Sequence, residues 1–221
     1  MSAGRVSCRT EFSIGRESEA MQRSALYHDG NRRLQDEFDS RRIADRLEAV
    51  NLRTVFSDRD RQFIENAAFF FLATADGEGQ PNVSHKGGMP GFVRVVGPAE
   101  LAYPDYDGNG MFVSLGNVAV NPRVGLLFID FERPRRLIVH AEASFSRDDP
   151  LLPLTVGAQM IVRLRANAIY PNCPRYIPKM RFVEPSLYAP RAGAAPVEPA
   201  WKSFPEFKDA VHPRQKTASG D

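Results

Sequence analysis

Phe69-Phe70-Phe71-Leu72-Ala73-Thr74-Ala75, closed by Asp76-Gly77-Glu78-Gly79-Gln80, is the stretch from which the rest of the chain is read. A short aromatic-rich apolar run that ends in Asp and Gly reads as a buried strand entering a tight turn. Working outward, further strands are expected at Pro81 to Lys86, Phe92 to Val96, Glu100 to Tyr103, Val124 to Asp130, Arg135 to Phe145 and Gln159 to Tyr170, with Gly, Pro, Asp and Asn between them. The last two are long and alternate. Leu137, Val139, Ala141, Ala143 and Phe145 interleave with Arg136, His140, Glu142 and Ser144, while Val162, Leu164, Ala166 and Ala168 interleave with Arg163, Arg165 and Asn167. Roughly six or seven strands at short spacing, without helices alternating between them, predict a mainly β protein built as an antiparallel barrel.

Two helical stretches precede the first strand. Leu34, Phe38, Ile43, Leu47 and Val50 recur among charges at helical spacing and predict one amphipathic helix over Asn31 to Val50. Ser57-Asp58-Arg59-Asp60 has the form of a capping box and predicts a second, short helix carrying Phe63, Ile64 and Ala67. Residues 1–28 read as a polar arm, 29–187 as the folded domain and 188–221 as a proline-rich tail. From Pro185 onward the chain carries six of its 17 prolines, so an extended, sheet-poor segment is expected there. Trp201, the one tryptophan, is expected to dock because its apolar area is costly to leave in water.

Composition narrows the partners. With 29 basic and 27 acidic residues the formal charge is +2, so neither a nucleic-acid nor an anionic-membrane surface is expected, and small molecules are favoured. Cys8 and Cys173 are too few for a disulfide framework or a structural zinc site, which fits a reducing, cytoplasmic setting. A quiet packing role is expected of Cys173. The longest apolar stretch, Ala67 to Ala75, is too short for a membrane span, and the N-terminus lacks the apolar core of a signal peptide.

Two segments carry candidate chemistry. Ser84-His85-Lys86-Gly87-Gly88 combines a hydroxyl, an imidazole, an ammonium and glycine-freed amides directly after a strand, a donor set suited to a phosphate monoester; as a motif it is common in solvated turns. Asp105-Tyr106-Asp107-Gly108-Asn109-Gly110 matches the opening of a calcium-binding loop. Its twelfth position, though, is Gly116 where a bidentate glutamate is needed, so the polar-turn reading is stronger and no metal site is expected. The four histidines show no metal-ligand spacing, His140 reads as a barrel-wall residue, and the hydrolase and dinucleotide-fold glycine motifs are absent.

The words Phe71-Leu72-Ala73-Thr74-Ala75-Asp76-Gly77, then Glu100-Leu101-Ala102-Tyr103-Pro104-Asp105, then Asn121-Pro122-Arg123-Val124-Gly125-Leu126-Leu127-Phe128, taken in that order, resemble the pyridoxamine 5'-phosphate oxidase-like, FMN-binding split-barrel family. The resemblance runs over about residues 60 to 170. Tyr27-His28-Asp29-Gly30 and Tyr170-Pro171-Asn172-Cys173-Pro174 look like segments of a subgroup described as FMN-dependent enzymes.

The resemblance implies a split β-barrel with flanking helices, bound FMN, and a homodimer with flavins at its interface. It places Ser84, His85, Lys86 and Gly87 at the flavin ring edge and phosphate, and Tyr103, Pro104, Asp107, Gly108 and Asn109 in the loop that grips the phosphate. His85 is the best candidate for a polar group beside the ring, and no acid or base is named. Where the oxidases carry a Ser-Arg-Lys-like cluster this chain reads Asp107-Gly108-Asn109, and Trp201-Lys202-Ser203-Phe204-Pro205 lacks the compact R-x-H-x-R-like arrangement that binds the substrate phosphate. The expectation is a flavin-dependent oxidoreductase acting on a small molecule other than pyridoxamine phosphate, with NAD(P)H as a candidate donor. A non-catalytic flavin or haem binding protein, or a deazaflavin-dependent reductase, is the alternative.

Overall fold

The computed structural model describes residues 24–211; Cys8, His212 and most of the expected N-terminal arm lie outside the described residues. Three helices, α1 (Asp29–Glu37), α2 (Arg41–Asn51) and α3 (Asp58–Glu65), precede β1 (Phe69–Ala75), β2 (Pro81–Gly87), β3 (Arg94–Gly97) and β4 (Glu100–Tyr106). After α4 (Val113–Val120) come β5 (Arg123–Asp130), β6 (Arg135–Ser146) and β7 (Ala158–Asn172). The seven strands form one antiparallel sheet in the order β2-β1-β5-β6-β7-β4-β3, in keeping with a split-barrel fold.

All seven expected strands are present, with boundaries shifted by up to three residues. The largest shift is in β4, which runs through Pro104 to Tyr106 instead of stopping at Tyr103. Pro104 pairs with Ile161 of β7, while β3 reaches along β4 only from Glu100 to Ala102. The missing proline N–H therefore falls where β4 has become an edge, a position at which proline is tolerated.

The single helix expected over residues 31–50 is two. The chain breaks at Asp39, whose φ of 47° is left-handed, and restarts after Ser40. Asp enters that conformation more readily than most residues, and the break splits the apolar stripe between α1 and α2. That stripe does not face the core: Phe38 is 74% and Val50 70% exposed, and in α2 the buried residue is Ala44. The capping box of α3 is present as expected. Asp60 Oδ2 accepts from the Ser57 amide at 2.9 Å, the Ser57 hydroxyl accepts from the Asp60 amide at 3.2 Å, and Arg53 clamps the same carboxylate at 2.8 and 3.0 Å.

The core lies on the inner face of the sheet. Phe70 is fully buried, edge-on to Tyr103 at 5.1 Å and stacked on Phe128 at 5.2 Å, with Leu72, Leu101, Leu126 and Val139 completing the layer. Burying a side chain such as Phe70 contributes roughly 1.5–3 kcal/mol. At the end of β1, Asp76 Oδ1 accepts from the amides of Glu78 and Gln80, each at 2.9 Å, and Gly79 supplies the φ of 89° that the turn into β2 requires. This hairpin fixes the register of β2, and β2 is one wall of the site.

Candidate functional site

The hairpin pairs Thr74 with Asn82, Leu72 with Ser84 and Phe70 with Lys86. Because side chains alternate across a strand, Asn82, Ser84 and Lys86 share the face of buried Leu72 and Phe70, while Val83 and His85 share the other. The inner three, with Val83, line a cavity of about 340 Å³. Its second wall is the end of β4, Asp105 and Tyr106, continued by the loop Asp107-Gly108-Asn109-Gly110-Met111-Phe112. Its floor is the first turn of α4, Val113 to Leu115, and Gln159 of β7 closes the side.

The second wall is irregular and locally held. Asn109 Oδ1 accepts from the Met111 amide at 3.0 Å. Gly110 has a φ of 76°, and Phe112, the residue before α4, has a φ of 51°. A left-handed aromatic residue stores roughly 1–2 kcal/mol of backbone strain. That bend turns α4 so that residues 113–115, whose amides open the helix without a side-chain cap, face the cavity. Asn117 ties α4 to β1 by donating to Thr74 Oγ1 at 3.1 Å.

Charge is balanced unevenly here. Burial lowers the pKa of Lys86, and the nearby Asp105 carboxylate works against that shift. Burial raises the pKa of Asp105, opposed by the hydrogen bond it accepts from Gln159 Nε2 at 2.8 Å and by Lys86. Burial thus disfavours the charged form of both groups, and an anion placed beside Lys86 would favour its ammonium form. An ammonium, a hydroxyl, an amide side chain and the amides of a helix start converge on one cavity. These are donors for a phosphate monoester, the chemistry anticipated for Ser84 and Lys86.

The other expected site residues fare differently. Asp107, Gly108 and Asn109 line the cavity with Ser84 and Lys86. His85 does not: it stacks on Phe69 at 5.4 Å and meets Phe71 edge-on, on the outer face of the sheet. Its neighbour in sequence is inside and it is outside, because the segment is strand and not turn. Tyr103 and Pro104 lie within β4 in the core, and the buried Tyr103 hydroxyl has no hydrogen-bond partner.

Gly87 ends β2 outside the cavity lining, and the Gly88 amide is engaged by the Ala68 carbonyl at 2.9 Å. Glycine is required at 88 because a Cβ there would sit 2.6 Å from the Phe92 ring. Both glycines are positions where a Cβ would crowd a neighbouring ring, His85 at Gly87 and Phe92 at Gly88. Sequence reading also missed Asn82, Met111 to Leu115 and Gln159. The period of β2 was the signal available for Asn82; the helix start had none of the usual capping residues to mark it.

Elsewhere, the segments around Tyr27 and Tyr170 do meet. Tyr27, Glu48, Asn51, Tyr170 and Cys173 line a second cavity of about 590 Å³ whose lining holds a carboxylate and no lysine or arginine, the opposite of a phosphate site. Cys173 is exposed and not packed as expected. His140 is exposed on the sheet wall, with the Tyr170 hydroxyl 3.2 Å from Nε2. Trp201 meets Phe207 edge-on at 6.1 Å, so it docks within its own segment. No helix among the described residues is long and apolar enough to cross a membrane.

The family model for pyridoxamine 5'-phosphate oxidase matches residues 56–184, more than half of the chain. No curated protein matches it. Among solved structures, similarity is found to HupZ from Group A Streptococcus at 16% identity, covering 52% of this chain and 93% of that one with a TM-score of 0.43. An FMN-binding protein from Syntrophomonas wolfei is similar at 11% identity, covering 64% of this chain and 96% of that one with a TM-score of 0.42. HutZ, a heme storage protein from Vibrio cholerae, is similar at 21% identity over 51% of this chain and 92% of that one, with a TM-score of 0.39.

Proposed function

This chain belongs to the pyridoxamine 5'-phosphate oxidase family, and from that premise we propose that it is an FMN-binding flavoprotein, the cofactor phosphate lying in the cavity between β2 and the start of α4. The observation that carries the reading is the convergence of Lys86, Ser84 and the uncapped first turn of α4 on that one cavity. The volume of about 340 Å³ falls in the range of small-molecule sites, roughly 300–1,000 Å³, and the donor set fits a phosphate.

When bound, the flavin supplies electron-pair transfer to and from a small molecule. The residues of this chain bind and orient it. Lys86 offers charge, Ser84 and Asn82 offer neutral hydrogen bonds, and the α4 amides add partial positive charge. Asp105 and Gln159 hold each other at the far wall and keep that edge of the cavity in one shape.

The resemblance to dimeric flavoproteins extends the proposal to a homodimer, and the outer face of the sheet suits it. Phe69, Phe71 and Leu127 lie on the side opposite the core, partly exposed, beside exposed Val83. Light scattering is expected to give a dimer mass, and Phe71→Asp to give a monomer.

The cofactor test is direct. Purified protein is expected to be yellow and to release FMN on denaturation, identified by mass spectrometry. A colourless protein that does not bind added FMN overturns the proposal, and a released deazaflavin replaces the cofactor in it. Reduction of the bound flavin by NADH or NADPH in a stopped-flow experiment then separates an oxidoreductase from a carrier.

A further inference from the structure

The charged side chains that line the cavity are Lys86, Asp105 and Asp107, one ammonium against two carboxylates. Such a balance opposes an anionic ligand unless something outside the lining corrects it. A local correction comes from the C-terminal segment, which pairs Asp107 through Lys202 although it brings Glu198 with it and so adds no net charge. A short 3-10 turn at Ala200–Ser203 carries Lys202, whose Nζ donates to Asp107 Oδ2 at 2.6 Å and lies 3.2 Å from Glu198 Oε2. The Lys202 side chain is only 9% exposed, so this ammonium has been taken out of water to meet a carboxylate of the cavity wall.

The same segment is seated at a second point. Pro190 packs against Gly157, where a Cβ would lie 2.7 Å from both Pro190 Cβ and Cγ and where φ is 74°, so only glycine allows the approach. Gly157 stands two residues before Gln159, which lines the cavity from β7. The segment from Pro190 to Lys202 is therefore anchored beside the cavity at Gly157 and at Asp107, on the wall that lacks cations of its own.

We propose that Lys202 is the second cation of the phosphate site, brought by the C-terminal segment to neutralise Asp107, so that this segment is part of the ligand-binding site. The inference rests on the FMN reading above. Lys202 is a positioning residue: it acts on the ligand through Asp107, by removing a charge that repels phosphate and by fixing the loop that carries it. One of the basic residues missing from the 107–109 loop thus has a partial counterpart in a lysine 95 positions away in sequence, its charge shared between Asp107 and Glu198.

The test compares FMN with riboflavin, which has the same ring and no phosphate. Each is titrated into wild-type protein and into Lys202→Met, Lys202→Arg and the double variant Lys202→Met with Asp107→Asn, with binding followed by quenching of flavin fluorescence. Lys202→Met is expected to weaken FMN on the order of tenfold while leaving riboflavin within about twofold. Lys202→Arg keeps the charge and most of the affinity. The double variant, which removes the carboxylate as well, recovers FMN binding to within about threefold of wild type.

Equal losses for FMN and riboflavin in Lys202→Met, or no loss for either, overturn the proposal while the flavin reading stands. A double variant no better than Lys202→Met also overturns it, since a merely structural lysine gains nothing from removal of Asp107. A wild-type protein that binds neither flavin overturns the flavin reading itself, and the proposal with it.

Discussion

The two walls of the cavity are built by opposite means. On one side β2 presents Asn82, Ser84 and Lys86 from a strand whose every residue is paired to β1, so their spacing and direction follow from the pleat. On the other side residues 107–112 follow no period. Their shape depends on a left-handed Phe112, on an asparagine bonded to the backbone two residues ahead, and on an ion pair to Lys202. The strand wall brings positive charge and rigidity. The loop wall brings negative charge and is held by distant chain. A cavity made this way has one half held by strand pairing and another tied to the C-terminal segment.

The comparison can be broken most severely at Lys86. Lys86→Met is expected to weaken FMN by roughly ten- to a hundredfold, the range for loss of a charge-assisted hydrogen bond, with riboflavin little changed. Calorimetric titration of both ligands checks it, and a parallel loss for riboflavin would move the phosphate away from the strand wall.

Next comes the anchor of the loop wall. Gly157→Ala places a Cβ against Pro190 at a φ unsuited to alanine, at a cost of roughly 1–2 kcal/mol. Its effect is expected to be local: faster amide exchange over residues 190–203, and FMN binding weakened severalfold. Unchanged exchange in that segment would show that Pro190 is not an anchor.

Asp105 gives a smaller effect with a defined sign. Burial raises its folded-state pKa above the ordinary value of 3.8, so its contribution to stability is fully present below that value and is lost as pH rises through the folded pKa. Above the folded pKa the ionised carboxylate is a net cost. Asp105→Asn, which still accepts from Gln159, is expected to stabilise the ligand-free protein by about 1 kcal/mol or less at pH 7, with the gain shrinking as pH falls toward 4. Thermal unfolding at a series of pH values reads this out, and a gain that grows on acidification would contradict it.

The smallest effect belongs to His85. Pointing away from the cavity, His85→Ala is expected to leave FMN affinity within about twofold, and a tenfold loss would return the imidazole to the site.

Legibility divided along the same line as the walls. Strand positions were readable because a period of two repeats within a few residues, and the same period, applied strictly to Ser84-His85-Lys86, would have placed His85 on the face opposite Ser84 and Lys86. Reading that segment as a phosphate-gripping turn obscured it, since the two glycines that suggested a turn are there for the Phe92 ring and the end of β2. Tyr103 and Pro104 were drawn into the site by the family resemblance, which sets them in a loop, whereas here β4 continues through them as an edge beyond the reach of β3. The break at Asp39 and the opening of α4 at Phe112 both depend on left-handed residues other than glycine, which leave a weak mark in sequence.

What the sequence by itself determined is the antiparallel barrel, its seven strands, the capped α3 and the strand that carries Ser84 and Lys86. Each depends on neighbours within a few positions, where periodicity and turn chemistry act. Only the tertiary structure decided which face of β2 meets the ligand cavity, that α4 opens toward it, and that Lys202 stands beside Asp107. Those facts arise from contacts between segments up to 95 residues apart, and charge pairing at that separation has no local pattern to announce it.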